Sequence, residues 1–342
     1  MTEHPYAVTA GEAADAVTAA ARAFFAGTAY IPLMLWGDPG VGKTEAPKAA
    51  ARALDARLLV VHVADREPTE IGGLYWVVNG EVKRLAPTDL PIGGDEPTIL
   101  FFDEVPQAPM MNKNVLARVV LDREVSGHRL GSKVYVCCAG NHARNRAGTT
   151  PMPSHLNARL CHMDVVVDPV AWGDWAAANN VHPFVTSYIK WQPQSLHKPN
   201  PDERATPNPR SWARVSEIEF AGLTGQARKA ALVGTLGLEV GTEYIARSDL
   251  LRDMPDPDVI LRDPKGAPLP PSRAVMFATV SALAARAKPN NIQAIITYTS
   301  RMEGDEEYQV LCLREARLRN PAVASARAFT DFLRSARGQA LA

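Results

Sequence analysis

The stretch GDPGVGKT, Gly37 to Thr44, fits the spacing G-x-x-x-x-G-K-[ST] in full. Glycines let a backbone wrap an anion, with amides and the following helix N-terminus directed at phosphate oxygens. Lys43 is then the residue that reaches the β and γ phosphates, and the Thr44 hydroxyl is a ligand for Mg²⁺. The nucleotide-binding set read from this loop is Gly37, Asp38, Pro39, Gly40, Val41, Gly42, Lys43, Thr44 and Glu45. A second group lies 59 residues beyond Thr44, where ILFFDE sets Asp103 and Glu104 behind four apolar residues. There Asp103 can hold Mg²⁺ through water, and Glu104 can polarise an attacking water. A third apolar run, VYVCCAGN, ends in Asn141. A neutral amide beside the phosphates can hydrogen-bond the lytic water or the γ-phosphate.

These residues need a frame that brings three strand ends to one edge. Continuous apolar runs at IPLMLWG, RLLVVHVA, TILFFDEV, KVYVCCAG and CHMDVVVD read as strands covered on both faces. GEAADAVTAAARAFFA and the Ala-rich TEAPKAAARAL read as helices. Strands alternating with helices indicate an α/β fold with a mostly parallel sheet, whose ligands bind beyond the C-terminal strand ends. Pro47 falls near the first turn of the second helix, where amides lack intrahelical partners, so it is tolerated there. LYWVVNGEVKRL reads as a hairpin with a type I′ turn at Asn79-Gly80, and REVSGHRLGSKV as a shorter one. Tyr75 and Trp76 in the first hairpin face a substrate or pack on their own domain, and packing is favoured. Beyond about residue 170 the chain is mainly Ala-rich and helical, interrupted by the Pro-rich KPNPDERATPNPR and DMPDPDVILRDPKGAPLPPS. The expected division is residues 1–170 as the nucleotide-binding core, with insertions near 71–86 and 119–134, and 171–342 as a helical lid and C-terminal helical region.

The order of phosphate loop, FFDE and apolar strand ending in GN resembles AAA+ ATPases, in which such an Asn is the sensor 1 residue. LMLWGDPGVGKT, EPTEIGGLYW, FFDEVPQAPMMNKNVLARVVLDREV, AGN, MPSHLNARLCHMDV and NPRSWARV resemble the MoxR-like branch, over about residues 10 to 215. The resemblance implies a P-loop core with a helical lid, Mg²⁺-ATP hydrolysis in a hexameric ring, and remodelling or assembly of a protein partner. A von Willebrand factor A domain protein is the partner class it suggests. By the same resemblance Arg159 in SHLNARL takes the place of an arginine finger donated to a neighbouring subunit. Its plain alternative is a cap on its own helix C-terminus. NPRSW resembles the sensor 2 segment. Pro209 suits a first helical position, leaving Arg210 in a first turn, where a cation is unfavourable unless it faces an anion. Arg144 and Arg146 read equally as solvated loop cations or as subunit-interface cations. In the family, insertions such as the first hairpin can face the pore of the ring or a substrate.

Composition narrows the alternatives. Lys plus Arg (37) equal Asp plus Glu (37), so no global basic field draws the chain to nucleic acid or lipid. That counts against a nucleic-acid motor. The intact set of Lys43, Thr44, Asp103, Glu104 and Asn141 counts against a binding scaffold with little hydrolysis. The N-terminal stretch lacks the basic residues and apolar run of a signal peptide, and no stretch has transmembrane length. Cys137 and Cys138 lie adjacent in an apolar run and read as reduced core thiols, pointing to the cytoplasm. His62, His128, His142, His155 and His162 show no metal-ligand spacing.

Overall fold

A computed structural model describes residues 5–142, 148–200, 202–250, 254–302 and 306–335. The chain divides into two compact units, Met1–Val167 and Asp168–Ala342.

In the first unit, strands β1 (Ala7–Thr9), β2 (Leu33–Trp36) and β3 (Arg57–His62) precede a hairpin of β4 (Leu74–Val78) and β5 (Glu81–Leu85). Then come β6 (Thr98–Asp103), a small hairpin of β7 (Glu124–Val125) and β8 (His128–Arg129), β9 (Val134–Gly140) and β10 (Cys161–Val166). Six of them form one sheet in the order β1-β10-β2-β9-β6-β3, every neighbour parallel. The continuous apolar runs follow from coverage on both faces. Leu33, Leu35, Ile99, Phe101, Cys137 and Ala139 join one core cluster, and the alternating Met34, Leu100, Phe102, Val136 and Cys138 join another. Each large aliphatic or aromatic side chain fully buried this way contributes roughly 1.5–3 kcal/mol.

Helices α1 (Ala10–Phe25) and α2 (Glu45–Ala53) supply Ala13, Val17, Ala46 and Ala50 to the first core. Helices α3 (Pro68–Gly72) and α4 (Met110–Asp122) supply Ile71, Leu116 and Val120 to the second. The start of α1 is fixed by a capping box: Glu12 N donates to Thr9 Oγ1 at 3.2 Å, and Thr9 N donates to Glu12 Oε2 at 2.7 Å. Pro47 is the third residue of α2, in the turn whose amides have no intrahelical acceptor. A single helical turn, α5 (Ser154–Asn157), precedes β10.

The hairpins occupy less chain than their expected spans. Ile71 and Gly72 belong to α3, and residues 119–122 are the end of α4. Asn79 (φ 54°) and Gly80 (φ 81°) both take the positive φ that a type I′ turn requires. The aromatics do not pack as expected. Tyr75 is 62% exposed and Trp76 63%, with Val82 at 70% on the facing strand. The reason is that β4 and β5 form a separate two-stranded sheet, and among the described residues no third strand extends it and both strands are largely exposed. Its base is nonetheless anchored, because Ser126 Oγ of the second hairpin donates to Gly72 O, and a Cβ on Gly73 would overlap Leu85 O.

The second unit is helical: α6 (Pro169–Ala178), α7 (Pro183–Trp191), α8 (Pro209–Phe220), α9 (Gly225–Leu236), α10 (Leu238–Leu250), α11 (Pro257–Arg262), α12 (Arg273–Ala285), α13 (Ile292–Thr299), α14 (Glu306–Arg319) and α15 (Arg327–Leu333). The second Pro-rich stretch is not a plain break, since α11 forms within it. Pro257 is the first helical residue there, and Asp256 caps it by accepting from Asp258 N at 2.9 Å. Among the described residues no helix is long and apolar enough to cross a membrane.

Candidate active site

Strand β2 lies between β10 and β9, and the loop that leaves it begins at Gly37. Trp36 pairs with Gly140, so Gly37 and Asn141 each stand one residue beyond a shared level of the sheet. Phe102 pairs with Cys138, which brings Glu104 level with Gly140 two residues on. Three strand ends thus reach one edge, as the sequence pattern requires.

Side chains from the three meet there. Lys43 Nζ donates to Gly37 O (2.9 Å), Asp38 O (2.8 Å) and Asn141 Oδ1 (2.9 Å). Thr44 Oγ1 donates to Asp103 Oδ2 at 3.1 Å, and Asp103 Oδ1 accepts from Glu104 N at 2.9 Å. Lys43 and Asp103 are both buried, so each charge is held by polar partners and little by solvent. The loop needs its glycines at specific points. A Cβ on Gly37 would come within 2.8 Å of Val165 O, and Gly42 has a φ of 104° beside Ala10. A hydroxyl and a carboxylate 3.1 Å apart are hard oxygen donors of the kind Mg²⁺ takes, so Thr44 and Asp103 fit that ion.

Glu104 has left-handed backbone angles, φ 59° and ψ 31°. Such a conformation costs a non-glycine residue roughly 1 kcal/mol or more and persists where surrounding contacts impose it. The turn that follows, Val105–Gln107, is pressed against β9: a Cβ on Gly140 would overlap the Pro106 ring.

Among the described residues of the first unit, Arg159 makes no hydrogen bond to this cluster. Arg159 lies two residues past α5, where its Nη1 donates to His155 O, which is the helix-capping alternative. Among the described residues its buried Nε has no hydrogen-bond partner. Arg210 is the second residue of α8 in the other unit, exposed, behind a capping box of Asn208 and Ser211. Among the described residues no carboxylate pairs with it. Arg144 and Arg146 lie outside the described residues.

Two features escaped the sequence reading. Trp36 stacks between His142 (5.6 Å) and His162 (6.0 Å), and its Nε1 donates to His162 Nδ1 at 2.8 Å. Lys113 is fully buried on α4. The sequence carried a signal for it, because Lys113 shares helical spacing with the core residues Leu116, Ala117 and Val120. Cys137 and Cys138 are buried and free, and desolvation pushes both thiols far above their ordinary value.

Residues 33–150 match the family model described as "ATPase family associated with various cellular activities (AAA)". With the sheet order and the phosphate loop, this match identifies the fold of the first unit as an AAA-type P-loop NTPase fold, and the second unit is helical. Among solved structures, NtrX from Brucella abortus is similar at 18% identity and a TM-score of 0.34, over 97% of this chain and 67% of that one. Two RuvB variants from Thermotoga maritima are similar at 13% and 12% identity, each with a TM-score of 0.40. They cover 82% and 81% of this chain, and 82% and 80% of theirs. No curated protein sequence matches.

Proposed function

We propose that the chain is a MoxR-like AAA+ ATPase that hydrolyses Mg²⁺-ATP as a hexameric ring and remodels or helps assemble a protein partner. The observation that carries the hydrolysis reading is the meeting of Lys43 with Asn141 and of Thr44 with Asp103, from three strand ends. Lys43 neutralises charge on the β and γ phosphates of the substrate. Glu104 orients the attacking water and takes up its proton, and Asn141 donates a hydrogen bond to the γ-phosphoryl oxygens. Mg²⁺, held by Thr44 and through water by Asp103, would neutralise further phosphate charge. Arg159 then serves as the finger for the neighbouring subunit, and Arg210 contributes from the helical lid.

The partner reading rests on the first hairpin. Tyr75, Val77 and Val82 share one face of the hairpin as an exposed apolar surface of the kind that marks interaction sites, and Trp76 is exposed on the other face. By family resemblance the partner class is a von Willebrand factor A domain protein.

Steady-state phosphate release from ATP, with and without Mg²⁺, tests hydrolysis directly. Turnover that requires Mg²⁺ and vanishes in Lys43→Ala is expected. A wild-type chain that binds ATP but releases no phosphate would instead identify a binding scaffold. Light scattering with ATP present should give the mass of six subunits, and a persistent monomer would remove the ring.

A further inference from the structure

Lys113 brings an ammonium into the second core of the α/β unit, where an apolar side chain would avoid the desolvation. Its Nζ donates to Pro106 O (2.8 Å), Thr150 O (2.9 Å) and Thr150 Oγ1 (2.5 Å). Among the described residues no carboxylate pairs with it, and burial lowers its pKa from the ordinary lysine value. The acceptors come from two separate segments. Pro106 stands two residues after Glu104, and Thr150 lies between Asn141 and α5. Thr150 N also donates to Pro106 O, at 2.9 Å. Pro106 is therefore held by Gly140 against its ring and by Thr150 and Lys113 at its carbonyl. The left-handed Glu104 needs such restraint, because nothing in its own residue type favours that conformation.

We infer that Lys113 is a positioning residue for hydrolysis, its ammonium clamping the turn behind Glu104 to the Thr150 segment and so fixing Glu104 relative to Asn141. This rests on the ATPase reading above. Lys113 touches no nucleotide-binding residue, so its loss should lower turnover and leave nucleotide affinity alone.

The test compares Lys113→Met, which keeps length and removes the donors, with Thr150→Val at an exposed position that removes one acceptor. Lys113→Met should lower kcat roughly tenfold to a hundredfold, the scale of a misplaced catalytic group. KM and the Kd for a fluorescent ATP analogue should stay within about twofold of wild type, the contacts to phosphate being untouched. Thr150→Val should show the same split more weakly, about threefold in kcat, since one of several acceptors is lost. In a Glu104→Gln background, Lys113→Met should not lower the residual rate further, because the carboxylate it positions is already absent. Wild-type kcat in both single variants, or a fully multiplicative loss in the double variant, overturns the inference and leaves the ATPase reading standing. If Lys113→Met fails to fold, Thr150→Val decides alone. A wild-type chain without turnover overturns both.

Discussion

Lys43 Nζ lies 2.9 Å from Asn141 Oδ1. An ammonium has no acceptor, so this contact dictates which way the amide faces: the oxygen toward Lys43, and the Nδ2 donors away from it. One residue of the phosphate loop therefore orients the two N–H groups that the strand β9 delivers to the strand edge. Asn141→Ala should keep ATP binding and lose roughly 10²-fold in kcat, the scale of one lost transition-state donor. Asn141→Asp should behave differently. It sets a carboxylate against Lys43 and opposes the phosphates, so ATP affinity should fall as well. Equal ATP affinity in the Ala and Asp variants, by titration calorimetry, would refute the orientation argument.

In the proposed roles, Glu104 serves the chemistry and Lys43 the binding of nucleotide, so their variants should differ. Glu104→Gln should bind Mg²⁺-ATP and hydrolyse it at least about 10²-fold more slowly, as for loss of a general base. Its unfolding midpoint should rise with ATP, since a ligand at a hundredfold excess over Kd adds about 2.7 kcal/mol. Lys43→Ala should show no such rise. Turnover at the wild-type rate in Glu104→Gln would remove the water-positioning role from this carboxylate.

Much of this site was legible because its frame is made of long apolar runs. A strand buried on both faces, such as β6 with Phe101 and Phe102 on opposite cores, cannot be written with polar residues, so the runs mark β2, β6 and β9, while the half-buried β3 and β10, expected to be covered on both faces, keep only part of that pattern. Their polar ends then stand out. Strand β1 was not legible: three residues, Ala7–Thr9, carry too little pattern, and their pairing with Asp164 to Val166 is set by tertiary contact. Exposure of Tyr75 and Trp76 was misread for a related reason. Alternation predicts that a strand has a covered face, but only the fold decides whether anything covers it. The left-handed Glu104 depends on a neighbouring turn pressed against Gly140, 36 positions away, and the carbonyl-bound Lys113 on Thr150, 37 positions away, so local pattern gives little of them.

The exposed hairpin makes a prediction about the partner. Trp76→Ser and Val82→Ser remove mostly exposed apolar surface from opposite faces of the hairpin, so stability should change by less than about 0.5 kcal/mol. Basal ATPase should stay at the wild-type rate while stimulation by, or co-purification with, the partner declines. Asn79→Ala should weaken the same function by disturbing the positive-φ turn. A loss of basal ATPase equal to the loss of partner response would show that the hairpin supports the core and not the partner.

Arg159 poses the last question, because within one chain it caps its own helix and does not reach the phosphate cluster. A capping Arg at a helix C-terminus contributes only about 0.3–1 kcal/mol, so Arg159→Ala should barely change stability whichever role it has. Activity distinguishes the roles. A finger that neutralises γ-phosphoryl charge is worth roughly 10³ to 10⁵ in rate, whereas loss of a cap leaves the rate nearly unchanged. As a finger for a neighbouring subunit's phosphates, Arg159 would have to leave its contact with His155 O. Arg159→Ala and Lys43→Ala should each be nearly inactive alone. Mixed, they should recover part of the wild-type rate, because some interfaces then pair an intact finger with an intact phosphate loop. Recovery should follow the mixing ratio and peak near equal proportions. Normal hydrolysis by Arg159→Ala alone, or no recovery in mixed rings verified by mass, would assign Arg159 to capping and leave Arg210, Arg144 and Arg146 as the cations to vary next.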